Sequence, residues 1–255
     1  MIDALYISAS GLRSEQKQID VISNNVANMQ TPGFKRSRVN FVDVASASLV
    51  QDGQSVPGIS NGNGTRIVST TTSFAPGELR ATSGSYDLAI EGAGFFELEA
   101  EDGSLVYTRD GQFRLDAEGY LRSVQGLQLA RGFQIPADAA DVRVAPNGEV
   151  SARLGGSTGR TVLGAIELAA FAAPELLTAV GNNNFAATDA AGAVSYGRAG
   201  DTGFGRMQQG YVELANVEMI DEMSALVLAQ RAYQLNARVL QASDQILETI
   251  NNLRR

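Results

Sequence analysis

The chain has 255 residues, lacks histidine, cysteine and tryptophan, and carries a formal net charge of -8 at pH 7. Ser-His-Asp and Cys-His nucleophiles, thiol redox pairs and metal sites built from histidine or cysteine are therefore excluded. The acidic balance also argues against nucleic acid as a partner, because binding to phosphates requires a basic surface.

The length is sufficient for a stable core, since a compact chain of this size buries roughly 70% or more of its unfolded surface. No stretch approaches the ~20 consecutive apolar residues of a membrane span. The first basic residue is Arg13, so the basic segment that begins a secretory signal is missing. We therefore expect neither a membrane anchor nor a cleaved signal peptide.

A first helix is predicted at the start of the chain, because residues 2–29 contain no proline and have apolar residues at heptad spacing. These residues are Leu5, Leu12, Ile19, Ile22, Val26 and Met29. The seam is narrow, and a helix with a narrow seam needs a partner to be stable. Thr31-Pro32-Gly33 predicts that the helix ends near residues 28–30. We assign residues 1–45 to this helix and the following turn.

The next segment is predicted to be extended or irregular. Residues 46–66 are rich in Gly, Ser, Asn and Gln and contain few residues that could be buried. We assign residues 46–78 to this extended segment.

Residues 79–210 are predicted to form a mostly antiparallel β domain, because short runs rich in Val, Thr, Phe and Tyr alternate with glycine-containing turns. The clearest hairpin pairs residues 96–101 with residues 104–109. Asp102-Gly103 lies between them and favours a type I′ turn.

A second, longer helix is predicted over residues 217–253, within a C-terminal segment of residues 211–255. One apolar row recurs every seven residues and consists of Met219, Leu226, Tyr233, Leu240 and Leu247. A second row lies about 100° around the helix and includes Val239 and Ile246. This apolar face is too wide for one partner helix. The predicted fold class is therefore α+β, with long terminal helices that pair as a coiled-coil layer and a central antiparallel β domain.

Two local clusters have both a functional and a structural interpretation. Gly92-Ala93-Gly94 lacks the further glycine and the Gly-Lys-Ser/Thr ending of phosphate-binding loops, so we favour a turn or bulge. Lys35, Arg36 and Arg38 form a tight basic cluster. A contact with acidic neighbours, or plain solvation, is favoured there over a membrane or nucleic-acid contact.

Several carboxylates of the β domain could be interpreted as catalytic pairs or calcium ligands, but they lack calcium-loop spacing. We expect a solvated acidic surface instead. The residues are Glu99, Glu101, Asp102, Asp110, Asp116 and Glu118.

Three regions of the sequence resemble the bacterial flagellar basal-body rod and hook proteins. The N-terminal region carries Leu5-Tyr6-Ile7-Ser8-Ala9-Ser10-Gly11-Leu12, residues 20–28 and Thr31-Pro32-Gly33-Phe34-Lys35-Arg36. The middle carries residues 87–96 and Tyr107-Thr108-Arg109-Asp110-Gly111. The C-terminal region carries Gln209-Gly210-Tyr211-Val212-Glu213, Asn216-Val217, Glu222-Met223 and Gln230-Arg231-Ala232-Tyr233. The resemblance thus spans nearly the whole chain.

The resemblance implies a structural, non-enzymatic subunit that polymerises into the helical tube of the flagellar rod. The implied partners are further copies, other rod subunits, the hook protein, the envelope ring proteins and the flagellar type III export apparatus. No cofactor, small-molecule substrate or nucleic acid is implied. The implied location is the periplasm-spanning rod of the basal body, reached without a cleaved signal peptide. The seam residues of both helices would form the subunit interface.

Residues 46–66 occupy the place of an extra extended stretch in the distal rod proteins, so the distal rod is favoured and the proximal rod remains the alternative. A less favoured alternative from another class is a β-rich carbohydrate-binding module or hydrolase whose helices only oligomerise it. Electron microscopy would distinguish these, since the first interpretation predicts tubes and the second predicts a discrete oligomer that binds sugar.

Overall fold

The computed structural model describes residues 2–44, 62–100, 102–155 and 159–253. The fold is α+β, with a long helix near each end and antiparallel strands between them, which confirms the predicted class. Helix α1 spans Ile2–Ala27 and helix α2 spans Met219–Leu253. Both bounds lie close to the prediction, because proline-free apolar periodicity and the Thr31-Pro32-Gly33 stop are local signals. Residues 46–61 of the predicted irregular segment lie outside the described residues, and its last two residues, Thr65 and Arg66, begin a strand.

The strands are short and follow the glycine-rich turns expected from the sequence. In chain order they are β1 Ser37–Asp43, β2 Thr65–Thr72, β3 Leu79–Ala81, β4 Leu88–Glu91, β5 Phe96–Glu99, β6 Leu105–Thr108, β7 Phe113–Leu115, β8 Leu121–Ser123, β9 Gln128–Leu129, β10 Ala139–Val144, β11 Glu149–Leu154, β12 Arg160–Ala165, β13 Glu167–Ala170, β14 Thr178–Gly181, β15 Asn184–Ala186, β16 Ser195–Arg198, β17 Arg206–Gln209 and β18 Tyr211–Glu213.

The chain divides into two compact units. The helical unit contains Met1–Ala27, Ser37–Thr72 and Glu218–Arg255, and the β unit contains Asn28–Arg36 and Ser73–Val217. The four segments predicted from the sequence are each continuous in the chain, whereas each of these units combines separate parts of it. The predicted segments are residues 1–45, 46–78, 79–210 and 211–255. Those four segments stay a prediction about roles in an assembly.

In the helical unit, α1 and α2 contact each other and run antiparallel, since Gly11 lies beside Asn236 and Asn25 contacts Glu222. Strands β1 and β2 form an antiparallel hairpin with a bulge between Asn40 and Phe41. Neither helix, over its described residues, has a stretch apolar enough to cross a membrane.

In the β unit, the largest sheet has seven strands in the order β14-β15-β6-β5-β9-β8-β7, and β10, β11 and β12 form a separate three-stranded sheet. All strand pairs that the structure describes are antiparallel. The main core consists of buried aliphatic and aromatic side chains, among them Leu88, Ile90, Phe96, Leu98 and Leu168.

The predicted hairpin is confirmed, because β5 pairs with β6 from Phe96 opposite Thr108 to Glu99 opposite Leu105. Its predicted turn type is wrong. A type I′ turn needs positive φ at both central residues, whereas Gly103 has φ +79° and Asp102 does not have a positive φ.

Candidate assembly interface

The buried residues of α1 are mostly small or polar and do not form a continuous apolar seam. Ser8, Ser14, Ile22 and Asn25 are its buried residues among those whose burial is described. Gly11 lies on the same side, and a Cβ atom there would lie 2.8 Å from Asn236 Nδ2. The helices therefore approach closely at this point.

Asn25 joins the two helices to the β1–β2 hairpin. Its side-chain Nδ2 donates to Glu222 Oε2 at 3.2 Å and to the backbone oxygen of Ser37 at 2.9 Å. Its Oδ1 accepts from the backbone N–H of Ser37 at 3.0 Å. Asn25 is 1% exposed, and Glu222 is also buried. A buried amide in this geometry fixes the start of β1 against α1, since leaving its polar atoms unpaired would be costly.

The seam residues predicted from heptad spacing are mostly half-buried within one copy. Ile22 is buried, whereas Met219 and Tyr233 are exposed. Leu5, Leu12, Ile19, Val26, Leu226, Leu240 and Leu247 are intermediate. Met29 is also half-buried, but it follows α1 and belongs to the β unit. The structure thus places all the predicted residues except Met29 in the helical unit.

A second apolar row on α2 is more exposed than the predicted seam, and we call it the outer stripe. It consists of Leu228 (67% exposed), Leu235 (61%), Val239 (49%), Ile246 (52%) and Ile250 (45%). Spacings of seven and four residues place these side chains on one face of the helix. The sequence analysis recognised Val239 and Ile246 but missed Leu228 and Leu235. Sequence periodicity reveals apolar rows, but it does not show which row the chain itself covers.

The β unit contains a buried ionic cluster of Lys35, Arg109 and Glu213. Lys35 Nζ lies 2.5 Å from Glu213 Oε1, and Arg109 Nη1 lies 3.4 Å from Glu213 Oε2. The backbone N–H of Gly77 also donates to Glu213 Oε1, at 2.8 Å. Lys35 donates further to the backbone oxygen of Ala75. The carboxylate is therefore held by two cations and one backbone amide.

Burial disfavours the charged forms of the two cations in this ionic cluster. It lowers the pKa of Lys35 and that of Arg109, and the Glu213 carboxylate opposes both shifts. A contact with acidic neighbours or solvation was predicted for the basic cluster. The contact is confirmed for Lys35, whose side chain is fully buried against Glu213 and therefore not solvated.

Gly92-Ala93-Gly94 forms the turn between β4 and β5, as predicted. Gly92 has φ +116° and Gly94 has φ +129°. The backbone oxygen of Gly92 accepts from Arg109 Nη2 at 2.7 Å, so the turn helps to hold the ionic cluster.

Of the acidic residues predicted to form a solvated surface, Glu99 and Glu118 are exposed, whereas Asp102 and Asp116 make local contacts. Asp116 pairs with Arg122 at 2.6 Å, and Asp102 accepts hydrogen bonds from Ser104. Glu101 lies outside the described residues. Across the described ranges, no group of three or more carboxylates is arranged to hold a metal ion.

Comparison with known proteins gives matches along most of the chain. Three family models match: the flagella basal body rod protein at residues 5–35, the flagellar hook protein FlgE/F/G D1 domain at 89–152, and the flagellar basal body rod FlgEFG protein C-terminal at 208–253. The flagellar basal-body rod protein FlgG of Buchnera aphidicola (from Acyrthosiphon pisum) is 36% identical over 99% of this chain and all of the relative. Those of Caulobacter vibrioides and Bacillus subtilis are 36% and 34% identical, over 99% and 100% of this chain and all of each relative.

The chain belongs to the flagellar basal-body rod protein family. It is a structural subunit of the flagellar rod and not an enzyme, which confirms the function inferred from the resemblance.

Each of the three family matches contributes one member of the ionic cluster in this rod subunit. Lys35 lies at the end of the first matched region, Arg109 lies within the second and Glu213 lies within the third. All three segments belong to the motifs that resemble the family, but the motifs did not predict that these three charged residues contact each other. The only local signal was a charged residue in each quoted motif, and pairing across 178 residues is set by the tertiary fold.

Proposed function

We propose that this rod subunit forms the distal rod, where copies polymerise head to tail into a helical tube that transmits motor torque to the hook. End-to-end similarity to rod proteins supports membership of the tube. The place of residues 46–66 in the chain, which matches that of an extra extended stretch in the distal rod proteins, supports the distal position over the proximal one. The proposed location is the rod that spans the periplasm, reached by type III export without a cleaved signal peptide.

The outer stripe is the observation that carries the tube proposal. Its five apolar side chains face solvent in one copy, although each buried Leu or Ile side chain contributes roughly 1.5–3 kcal/mol when it is covered. Large exposed apolar surfaces are typical of interaction sites. A stripe on one face of a long helix suits a neighbouring helix, and the half-buried seam residues provide a second contact row. We therefore propose that α1 and α2 enter a coiled-coil layer shared between copies.

A head-to-tail contact uses two different surfaces of each copy, and repeated contacts of this kind generate an open helix. Other rod subunits and the hook protein would continue the same arrangement at the ends of the segment. The proposed non-axial partners are the envelope ring proteins and the export apparatus. Residues 46–66 are proposed to restrain sliding between copies and so to stiffen the rod.

Substitution in the outer stripe tests the tube proposal. Leu235→Glu places a charge in the proposed helix contact, so we expect a strong loss of complete rods in isolated basal bodies. Gln234→Glu is the matched control, since residue 234 is exposed, adjoins the stripe and receives the same side chain. Equal rod yields for the two variants would contradict the proposal, provided that both proteins are exported.

The distal position requires a separate test. Electron microscopy of basal bodies with a labelled copy should show the label next to the hook, whereas label near the motor would identify a proximal subunit.

A further inference from the structure

The helical unit contains a cavity of about 310 Å³ between α1 and β2. We call it the arginine pocket, and its polar walls are Tyr6, Ser10, Arg13, Ser14, Thr65 and Arg66. Ala9 and Ile67 complete the lining, so the walls contain two cations and no carboxylate.

The two arginines have no carboxylate partner within the described residues, in contrast to Lys35 and Arg109. Ser14 is only 4% exposed, and its side chain forms part of the pocket wall. Two guanidinium groups in the wall of one pocket, with no carboxylate beside them, point to an anionic ligand that accepts hydrogen bonds.

The walls of the pocket are fixed by local hydrogen bonds. Ser10 Oγ donates to the backbone oxygen of Ile7 at 2.8 Å and accepts from the backbone N–H of Thr65 at 3.2 Å. These bonds hold the start of β2 against α1 and leave Arg13, Arg66 and Ser14 as the available donors. Paired guanidinium groups with a hydroxyl suit a carboxylate, which can accept several hydrogen bonds at once.

We infer that the arginine pocket binds the carboxylates of Asp244 and Glu248 from α2 of a second copy. Both residues are exposed, and neither makes an ion pair or hydrogen bond within the described residues. They lie four positions apart, so they project from the same face of α2. Opposite charges on two different surfaces suit the head-to-tail contact, on which this inference rests.

The same copy cannot fill its own pocket with these residues. Because α1 and α2 are antiparallel with Gly11 beside Asn236, Arg13 lies level with residue 234 of α2. Asp244 is then about 15 Å farther along the helix axis, and Glu248 about 21 Å, at 1.5 Å per residue. A neighbouring copy displaced along the tube would bring the two charged surfaces together.

A charge-swap series tests the contact in cells that make only the variant protein. Arg13→Glu/Arg66→Glu should lower the yield of complete rods at least about tenfold, because it opposes like charges at the contact. Asp244→Arg/Glu248→Arg should have a similar effect, and combining the four substitutions should restore most of the yield. Lys17→Glu is the control, since Lys17 is exposed one turn beyond Arg13 and does not line the pocket.

Cross-linking gives a second test that does not depend on how the charge variants fold. The chain has no cysteine, so one copy with Thr65→Cys and another with Glu248→Cys can form a disulfide only between copies. We expect this product in rods at least about tenfold above that from Lys17→Cys with Glu248→Cys, because only the first pair lies at the contact.

The inference would be overturned if rods formed normally in the Arg13→Glu/Arg66→Glu variant, or if the two cysteine pairs cross-linked equally. Either result would leave the tube proposal intact. If inorganic phosphate binds in the arginine pocket and rods still assemble normally in its presence, the inference is likewise overturned. The pocket would then be a site for small anions. Absence of the wild-type protein from basal bodies would instead contradict the proposed function itself.

Discussion

Lys35 Nζ lies 2.5 Å from Glu213 Oε1 although the two residues are 178 positions apart, and both side chains are fully buried. Arg109 completes the ionic cluster, which therefore contains two cations and one anion. Removal of the single anion leaves two like charges in the interior, whereas removal of Lys35 leaves one balanced pair.

Substitution of this cluster should therefore have unequal effects on the β unit. Glu213→Gln leaves uncompensated buried charge and is expected to lower the free energy of unfolding by about 3–5 kcal/mol. Lys35→Met leaves a balanced pair and should lower it by only about 1–3 kcal/mol, the cost of the lost hydrogen bonds. Arg143→Met is the control, because Arg143 is 67% exposed in its pair with Asp141 and should change stability by about 0.5 kcal/mol or less. Urea unfolding followed by tyrosine fluorescence measures these differences. Equal costs for Lys35→Met and Glu213→Gln would contradict the charge argument.

Gly33 allows the turn that contains it to lie close to the backbone of Arg109 and Asp110. Its φ is +69°, and a Cβ atom there would lie 2.4 Å from the backbone nitrogen of Asp110. Gly33→Ala should destabilise the β unit by about 2–4 kcal/mol, because backbone strain and a backbone clash add together.

Gly103→Ala separates these two effects. Gly103 has a similar φ of +79°, but a Cβ atom there would meet no other atom of the described residues within 4 Å. Its substitution should cost only about 1 kcal/mol. Thermal unfolding of both variants provides the comparison, and a Gly33→Ala cost no greater than that of Gly103→Ala would show that the approach to Asp110 is unimportant.

The sequence predicted those features that depend on local signals. Proline at position 32 and apolar periodicity were sufficient for the end of α1, and the Asp102-Gly103 pair located the β5–β6 hairpin. The arrangement of the ionic cluster was not predictable, since each charged residue could equally have been solvated. Likewise, α2 has two apolar rows, and only the position of α1 decides which row is half-buried and which forms the outer stripe.

Asp110 is expected to make the stability of the β unit depend on pH. Burial raises the pKa of Asp110 and the nearby Asp87 carboxylate adds to this, while a hydrogen bond from the backbone N–H of Gln112 opposes it. Its folded-state pKa is thus above the unfolded value. The contribution of Asp110 to stability is therefore fully present below the unfolded pKa and is lost as pH rises through the folded pKa.

Asp110→Asn keeps an oxygen that can accept from Gln112 but removes the buried charge. We expect the variant to be more stable than the wild type near pH 7, with a difference that narrows toward about pH 4. Asp102→Asn should behave oppositely, because hydrogen bonds from Ser104 lower the pKa of Asp102. Its contribution is present above the unfolded pKa and lost as pH falls. Urea midpoints across this range test both signs, and a pH-independent Asp110→Asn difference would exclude the proposed cause.

Asn25 provides the corresponding test in the helical unit. Asn25→Asp preserves size and the acceptor for Ser37 N–H, but it places a carboxylate oxygen against Glu222 and the Ser37 carbonyl. Loss of a buried donor and repulsion between carboxylates should destabilise the contact of α1 with α2 and β1 by about 2–4 kcal/mol. Hydrogen exchange of residues 2–27 in assembled rods should then be faster than in the wild type.

Glu222→Gln tests whether repulsion between the two carboxylates causes this destabilisation. Added to Asn25→Asp, it removes one of the two facing carboxylates and supplies an amide donor, so part of the lost protection should return, although Glu222→Gln alone should itself be destabilising. Asn252→Asp is the control for the chemical change, since Asn252 is exposed near the end of α2. If the double variant exchanges as fast as Asn25→Asp alone, the Asn25–Glu222 contact does not account for the stability of the helix pair. If protection from hydrogen exchange is instead partly regained in the double variant, the contact between residues 25 and 222 accounts for the stability of the helix pair.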